Sequence, residues 1–167
     1  RPGVSAWTSH EPIGVVLAIT PWNDPLMVPC RKIAPALISG NTVVLKPSPD
    51  TPAIALILAE MFAEAGVPKG VLNTVTGDVA TWGGALTDDP RIAGVTFTGS
   101  TATGKYLRKA LSGGRARLQT EMGGKNSAVL MADADVGPAL AMLVASIFGQ
   151  TGQRCTAVSR LLVPRSI

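Results

Sequence analysis

IGVVLAITPWNDP, residues 13–25, sets seven apolar residues directly against a polar turn. The run 13–19 shows no in-and-out alternation, so it reads as a strand buried on both faces. The turn TPWNDP follows. Residues 26–39 then read as a helix, stopped by Gly40 and Asn41. Pro29 and Pro35 argue against an unbroken helix there. The same alternation continues outward. TVVL (42–45) is a second buried strand and KPSPD (46–50) a loop. Asp50 or Thr51 caps a helix that has Pro52 in its first turn and Gly66 at its end. Strands at 71–75 and 92–98 flank a short helix at 80–87. A helix at 101–111 precedes strands at 118–122 and 127–131, then a helix at 135–149 and a strand at 160–163. This pattern predicts an α/β fold: a parallel sheet with helices on both faces. Ligands of such sheets bind beyond the carboxyl ends of the strands. The loops 20–25, 46–50, 76–79 and 98–104 are therefore the ones that bear chemistry.

Composition limits what those loops serve. The 167 residues suffice for one ordinary domain. With 46% hydrophobic and 16% charged residues the chain forms a core and is not a disordered polyelectrolyte. The net charge of +4 is spread out, with no run of like charge and few interleaved aromatics, so no nucleic-acid partner is expected. The mild positive field suits an anionic cofactor. Two cysteines, Cys30 and Cys155, do not make a disulfide framework. Residues 1–12 are polar and do not read as a secretory leader, and the run 13–19 is too short to span a bilayer. A cytoplasmic protein with no membrane partner is the expectation.

Four local patterns carry chemistry. GSTATGK (99–105) follows a strand and opens a helix. It nearly spells a triphosphate-binding loop, but Tyr106 stands where a small hydroxyl must hold magnesium, so that reading fails. What remains is a helix N-terminus with small residues, suited to a phosphate or pyrophosphate. An ordinary strand-to-helix turn explains the residues equally well. Lys46 follows a buried strand and can reach a ribose or phosphate, or can be a plain surface lysine. Cys155, in TGQRCTA, has small neighbours that allow close approach. A nucleophilic thiol needs access and a lowered pKa, and a lone cysteine is otherwise a small buried hydrophobe. Glu121, in QTEMGGKN, stands at a strand end before two glycines. It fits a general base or an ion pair with Lys125. With Asn23, a side-chain N–H donor in a strand-end turn, these residues make a set of nucleophile, base and oxyanion donor. His10 precedes the first strand and has no role, and no His/Cys spacing suits a metal.

Together and in this order, EPIGVV, ITPWN, KIAPAL, GNTVVLKPS, EAGVPKGVLN, FTGST, EMGGKN and GQRCTA resemble the aldehyde dehydrogenase superfamily from Glu11 to Val163. The resemblance implies an NAD or NADP cofactor and a small-molecule aldehyde substrate. It implies that Cys155 is the nucleophile, that Glu121 activates the deacylating water, and that Asn23 shares the oxyanion hole with the Cys155 backbone N–H. It places Lys46 and Ser48 at the adenosine ribose, and Gly99 and Ser100 at the pyrophosphate. Thr20, Pro21 and Trp22 would line the cofactor channel, with Gly77 beside the adenosine and Met122 and Gly123 beside the nicotinamide. Residues 1–122 would be part of the dinucleotide-binding domain, Rossmann-like but incomplete, and 123–167 the start of the catalytic domain. RPGV, QTEMGGKN and TGQRCTA look most like the branch that oxidises 2-oxoglutarate semialdehyde. The implied parent is a homo-oligomer, a dimer or a tetramer.

Three departures from the family pattern matter. Pro49 stands where NAD-preferring members carry a glutamate, so nothing there repels a 2′-phosphate. Val79 replaces a frequent glycine two residues after Gly77. Members are also substantially longer, so the chain reads as an internal fragment, lacking the later Glu-x-Phe-Gly-Pro motif. Two rivals follow: a non-catalytic dinucleotide-binding remnant, and a cysteine acyl-transfer enzyme without redox function.

Overall fold

The computed structural model describes residues 3–166, with the side chain of Trp82 left aside. The chain divides into two compact units, Arg1–Glu121 and Met122–Ile167.

The first unit is built on a five-stranded sheet. Its strands are β1 (Val15–Ile19), β2 (Thr42–Lys46), β3 (Leu72–Thr74), β4 (Ile92–Gly99) and β5 (Arg117–Met122), in the order β3-β2-β1-β4-β5. β1 runs parallel to β2 and to β4, and β2 runs parallel to β3. Four helices connect them: α1 (Met27–Ile38), α2 (Pro52–Glu64), α3 (Val79–Thr87) and α4 (Thr101–Ala110). Adjacent residues of a strand face opposite ways, and the core divides accordingly. On one face Ala18, Val43 and Leu45 pack with Ile33 of α1 and with Ala55 and Leu58 of α2. On the other, Leu17 packs with Ile92, Val95 and Leu111, flanked by Val44, Leu86 and Leu118. The expected helices on both faces of a parallel sheet are therefore present, and the unbroken apolar strands are explained by double-sided burial.

Differences from the expected elements are local. α1 is continuous through Pro35, because tertiary packing outweighs one missing amide donor. It ends where Gly40, at φ 82°, takes the left-handed conformation that glycine tolerates. Asn41 then locks the turn: its Oδ1 accepts from Ile13 N (2.7 Å) and Gly14 N (3.1 Å), and its Nδ2 donates to Ala36 O. The loop expected at 46–50 is shorter, since Lys46 completes β2.

The second unit holds β6 (Asn126–Val129) parallel to β7 (Val158–Leu162) and the helix α5 (Val136–Phe148), capped by Asp135. A 3₁₀ turn at Gly149–Gly152, absent from the sequence expectation, carries Gln150 and Thr151 at φ 53° and 55°. Among the described residues no helix is long and apolar enough to cross a membrane.

Leu17 and Leu45 have no exposed surface. Each, replaced by alanine in the full-length protein, is expected to cost about 2–5 kcal/mol through lost burial and an unfilled cavity. A lower urea midpoint with unchanged slope checks this.

Candidate active site

The sheet order reverses between β1 and β4, the place where a doubly wound sheet opens a ligand crevice at its carboxyl edge. Strand register sets that edge. Ile19, the last residue of β1, pairs with Lys46 of β2 and with Phe97 of β4. Thr20 N then donates to Lys46 O at 3.1 Å. Thr20 thus follows the Ile19–Lys46 pair by one residue, near the end of β4.

These residues are buried. Thr20 is 3% exposed, and its Oγ1 has no hydrogen-bond partner. The hydroxyls of Thr51 and Thr74 share that condition, and they follow β2 and close β3 on the same edge. An unmet buried hydroxyl costs about 1–3 kcal/mol, so each of the three would gain from a polar partner. Lys46 is 7% exposed, which rules out the plain surface lysine. Burial pulls its ammonium below the usual lysine range, while Asp50 and Asp78 oppose that shift. Ser48, also buried, donates through Oγ to Asp50 Oδ2 (3.1 Å) and accepts from Asp50 N (3.3 Å). Pro49 beside it is exposed.

The remaining loops of this unit are placed as follows. Pro21 and Asn23 are half-buried and Trp22 is exposed, in a turn where Asp24 Oδ1 accepts from Met27 N at the start of α1. Gly77, at φ 122°, leads into Asp78, whose carboxylate caps α3 through Ala80 N (2.9 Å). Val79 opens that helix and lies against Gly83, where an added Cβ would meet its Cγ1 at 2.5 Å. Ser100 caps α4: its Oγ accepts from Thr103 N at 3.1 Å. A Cβ on Gly99 would meet the Phe97 ring at 2.7 Å, so this glycine is needed for the ring regardless of any phosphate.

Glu121 is exposed and does not stand alone. Gln119, two residues earlier on the same strand face, donates through Nε2 to Glu121 Oε1 at 2.9 Å. Thr96 Oγ1 donates to Gln119 Oε1 (2.6 Å), and Lys32 Nζ donates to Thr96 Oγ1 (2.7 Å). A line of donors therefore runs from an ammonium on α1, across β4 and β5, to the carboxylate. Burial pulls Lys32 down to about 8, and the Glu121 charge opposes that shift. Sequence reasoning missed Lys32, Thr96 and Gln119. The i, i+2 spacing of Gln119 and Glu121 was the only available signal, since the other two meet them only through sheet pairing and helix packing.

In the second unit Cys155 is an exposed free thiol. Its loop is held at several points. Arg154 O accepts from Ala157 N (3.1 Å), and Arg154 Nε donates to Gln150 Oε1 (2.5 Å). Asn126 Nδ2 donates to Cys155 O (2.6 Å) and to Ala157 O (3.1 Å). Met122 and Gly123 are exposed, and a Cβ on Gly123 would meet nothing.

The fold and its carboxyl edge define an α/β protein of the doubly wound, ligand-binding type. The chain belongs to the aldehyde dehydrogenase family, whose pattern matches residues 1–167. It is 49% identical over 162 residues to phenylacetaldehyde dehydrogenase of Pseudomonas fluorescens, covering 97% of this chain and 32% of that protein. It is 43% identical over 161 residues to alpha-ketoglutaric semialdehyde dehydrogenase of Bacillus subtilis, covering 96% of this chain and 33% of the relative. Among solved structures, PnpE in complex with nicotinamide adenine dinucleotide superposes with a TM-score of 0.90 at 43% identity, covering 94% of this chain and 32% of that one. The chain thus spans about a third of the length of the curated relatives it matches.

Lys32 yields a test with a definite sign. The unfolded chain holds its proton to about 10.5 and the folded chain releases it at about 8. The unfolded state therefore binds more protons between those values, and stability rises with pH there. Below that window the burial cost is fully present. The stability advantage of Lys32→Met over wild type is expected to shrink as pH climbs through it, measured as the difference in Tm.

Proposed function

We propose that the protein carrying this chain oxidises an aldehyde to its carboxylic acid with NAD or NADP, and that Cys155, Glu121 and Asn23 do the chemistry. The sheet edge is the observation that carries the reading. A buried lysine, three unpartnered hydroxyls and a capped helix N-terminus suit a ribose and a pyrophosphate. Residues 1–122 would form part of the dinucleotide-binding domain and residues 123–167 the start of the catalytic domain. Lys46 and Ser48 would meet the adenosine ribose, with Gly77 beside the adenosine. Gly99 and the α4 N-terminus behind Ser100 would meet the pyrophosphate. Thr20, Pro21 and Trp22 would line the channel to the nicotinamide, beside Met122 and Gly123. Pro49 brings no carboxylate to the ribose, which leaves Asp50 on Ser48 as the nearby acid, and the cofactor is NAD or NADP.

In the reaction, the Cys155 thiolate attacks the aldehyde carbon. Asn23 and the Cys155 N–H hold the resulting oxyanion. One such donor is worth roughly 3–4 kcal/mol. When bound, the nicotinamide supplies the acceptor for the hydride that leaves the adduct. The acyl group stays on Sγ as a thioester. Glu121 takes a proton from water, the oxygen attacks the thioester carbon, and the acid leaves as the thiolate returns. The donor line through Gln119 holds the resting carboxylate on the strand face.

The substrate class we favour is a semialdehyde, supported by the alpha-ketoglutaric semialdehyde relative and by QTEMGGKN and TGQRCTA. A cytoplasmic location with no membrane partner fits two free thiols, scattered charge fits the lack of a nucleic-acid partner, and a dimer or tetramer is the oligomer that the family resemblance implies.

Cys155→Ser in the full-length protein is expected to lower NAD(P)H formation by on the order of 10³-fold or more. Near-normal oxidation by that variant sinks the scheme. Glu121→Gln is expected to behave differently: one burst of NAD(P)H per site, then turnover slowed by about 10²–10⁴-fold. Stopped-flow absorbance separates the two phases.

A further inference from the structure

We propose that Asn126 is a positioning residue for the nucleophile: its side-chain amide sets the orientation of Cys155 by holding the backbone on the carboxyl side of that residue. The inference rests on Cys155 being the nucleophile and adds a residue that the scheme above does not use.

The direction of a side chain, and of its own N–H, is set by the two peptide planes that meet at its Cα. Both planes at Cys155 are tied. The preceding one ends in Arg154 O, which accepts from Ala157 N at 3.1 Å. The following one ends in Cys155 O, which accepts from Asn126 Nδ2 at 2.6 Å. The same nitrogen also donates to Ala157 O at 3.1 Å, so both of its hydrogens are spent on this one loop.

Asn126 is itself held in place. It is the first residue of β6 and pairs with Val158 of β7. The register then shifts, since Ser127 pairs with Arg160 and leaves Ser159 as the extra residue. Such a bulge re-aims a side chain. Here Ser159 Oγ donates to Asn126 O at 3.3 Å, fixing the backbone whose amide reaches to residues 155 and 157. Upstream of Cys155, Gln150 and Thr151 sit in left-handed conformations that are costly for residues other than glycine. The loop needs external ties to keep one shape, and Asn126 supplies two.

Asn126→Asp keeps the shape and replaces the donating NH₂ by an oxygen that cannot donate when ionised. In the full-length enzyme this variant is expected to lower the rate of the NAD(P)H burst by about tenfold or more, the worth of a strong hydrogen bond of roughly 1.4 kcal/mol. KM for the cofactor should stay unchanged. Alkylation of Cys155 by iodoacetamide, followed by mass spectrometry without cofactor, should change rate with it. Asn126→Gln, which retains the amide, should recover part of the burst rate. A folded Asn126→Asp enzyme whose burst and alkylation rates stay within about twofold of wild type overturns the proposal. If Asn126→Asp does not fold, Asn126→Gln and Asn126→Ser decide. A faster burst in the glutamine variant supports the role of the amide, and equal rates in the two overturn it. Near-normal oxidation by Cys155→Ser would instead reject the underlying scheme, so the two failures are separable.

Discussion

In a parallel sheet the strand ends are placed by the ladder of N–H···O=C bonds between neighbours, and β1 is the strand that both sides of the ladder share. Its register with β2 and β4 puts Ile19 level with Lys46 and Phe97, and the Thr20 amide extends the ladder by one bond to Lys46 O. The loops carrying Asn23, Ser48 and Ser100 start from that line. A slip of one residue would turn Lys46 to the other face of the sheet, because side chains alternate. The double-sided core around Leu17 and Ala18 makes such a slip expensive, so packing and site geometry are enforced by the same contacts.

Polar groups are treated differently on the two units. At the sheet edge, burial leaves hydroxyls of Thr20, Thr51 and Thr74 unpartnered and depresses the proton affinity of Lys46. Those groups are costly in isolation and useful toward a ligand. Around Cys155 the opposite holds. Backbone carbonyls are satisfied by Asn126 and by Ala157 N, while the thiol itself is exposed. An edge with unmet hydrogen-bonding capacity suits binding, and a tied loop presenting a thiol suits attack.

Glu121 joins these themes. Its carboxylate receives the amide of Gln119, at the end of a donor line that begins on α1. Lys32 lies far from Glu121 along the chain, and folding makes their charges interact. Burial depresses the Lys32 pKa, and the Glu121 charge offsets only part of that shift.

The sequence by itself determined the elements and the family. Apolar runs without alternation specified strands buried on both faces, and Gly40 and Asn41 marked a helix stop that the structure keeps, with Gly40 at positive φ. The eight ordered motifs pointed to the family that matches the whole chain. Local signals of this kind survive folding because they reflect conformational preference and hydrophobic burial, which act residue by residue. Tertiary structure alone decided that Lys46 is buried, that α1 runs through Pro35, and that the turn at Gly149–Gly152 is strained. It alone joined Lys32 to Thr96 and Asn126 to the Cys155 carbonyl. Those pairs are separated by 64 and 29 residues, and only strand register and helix packing bring such distant groups within hydrogen-bond reach.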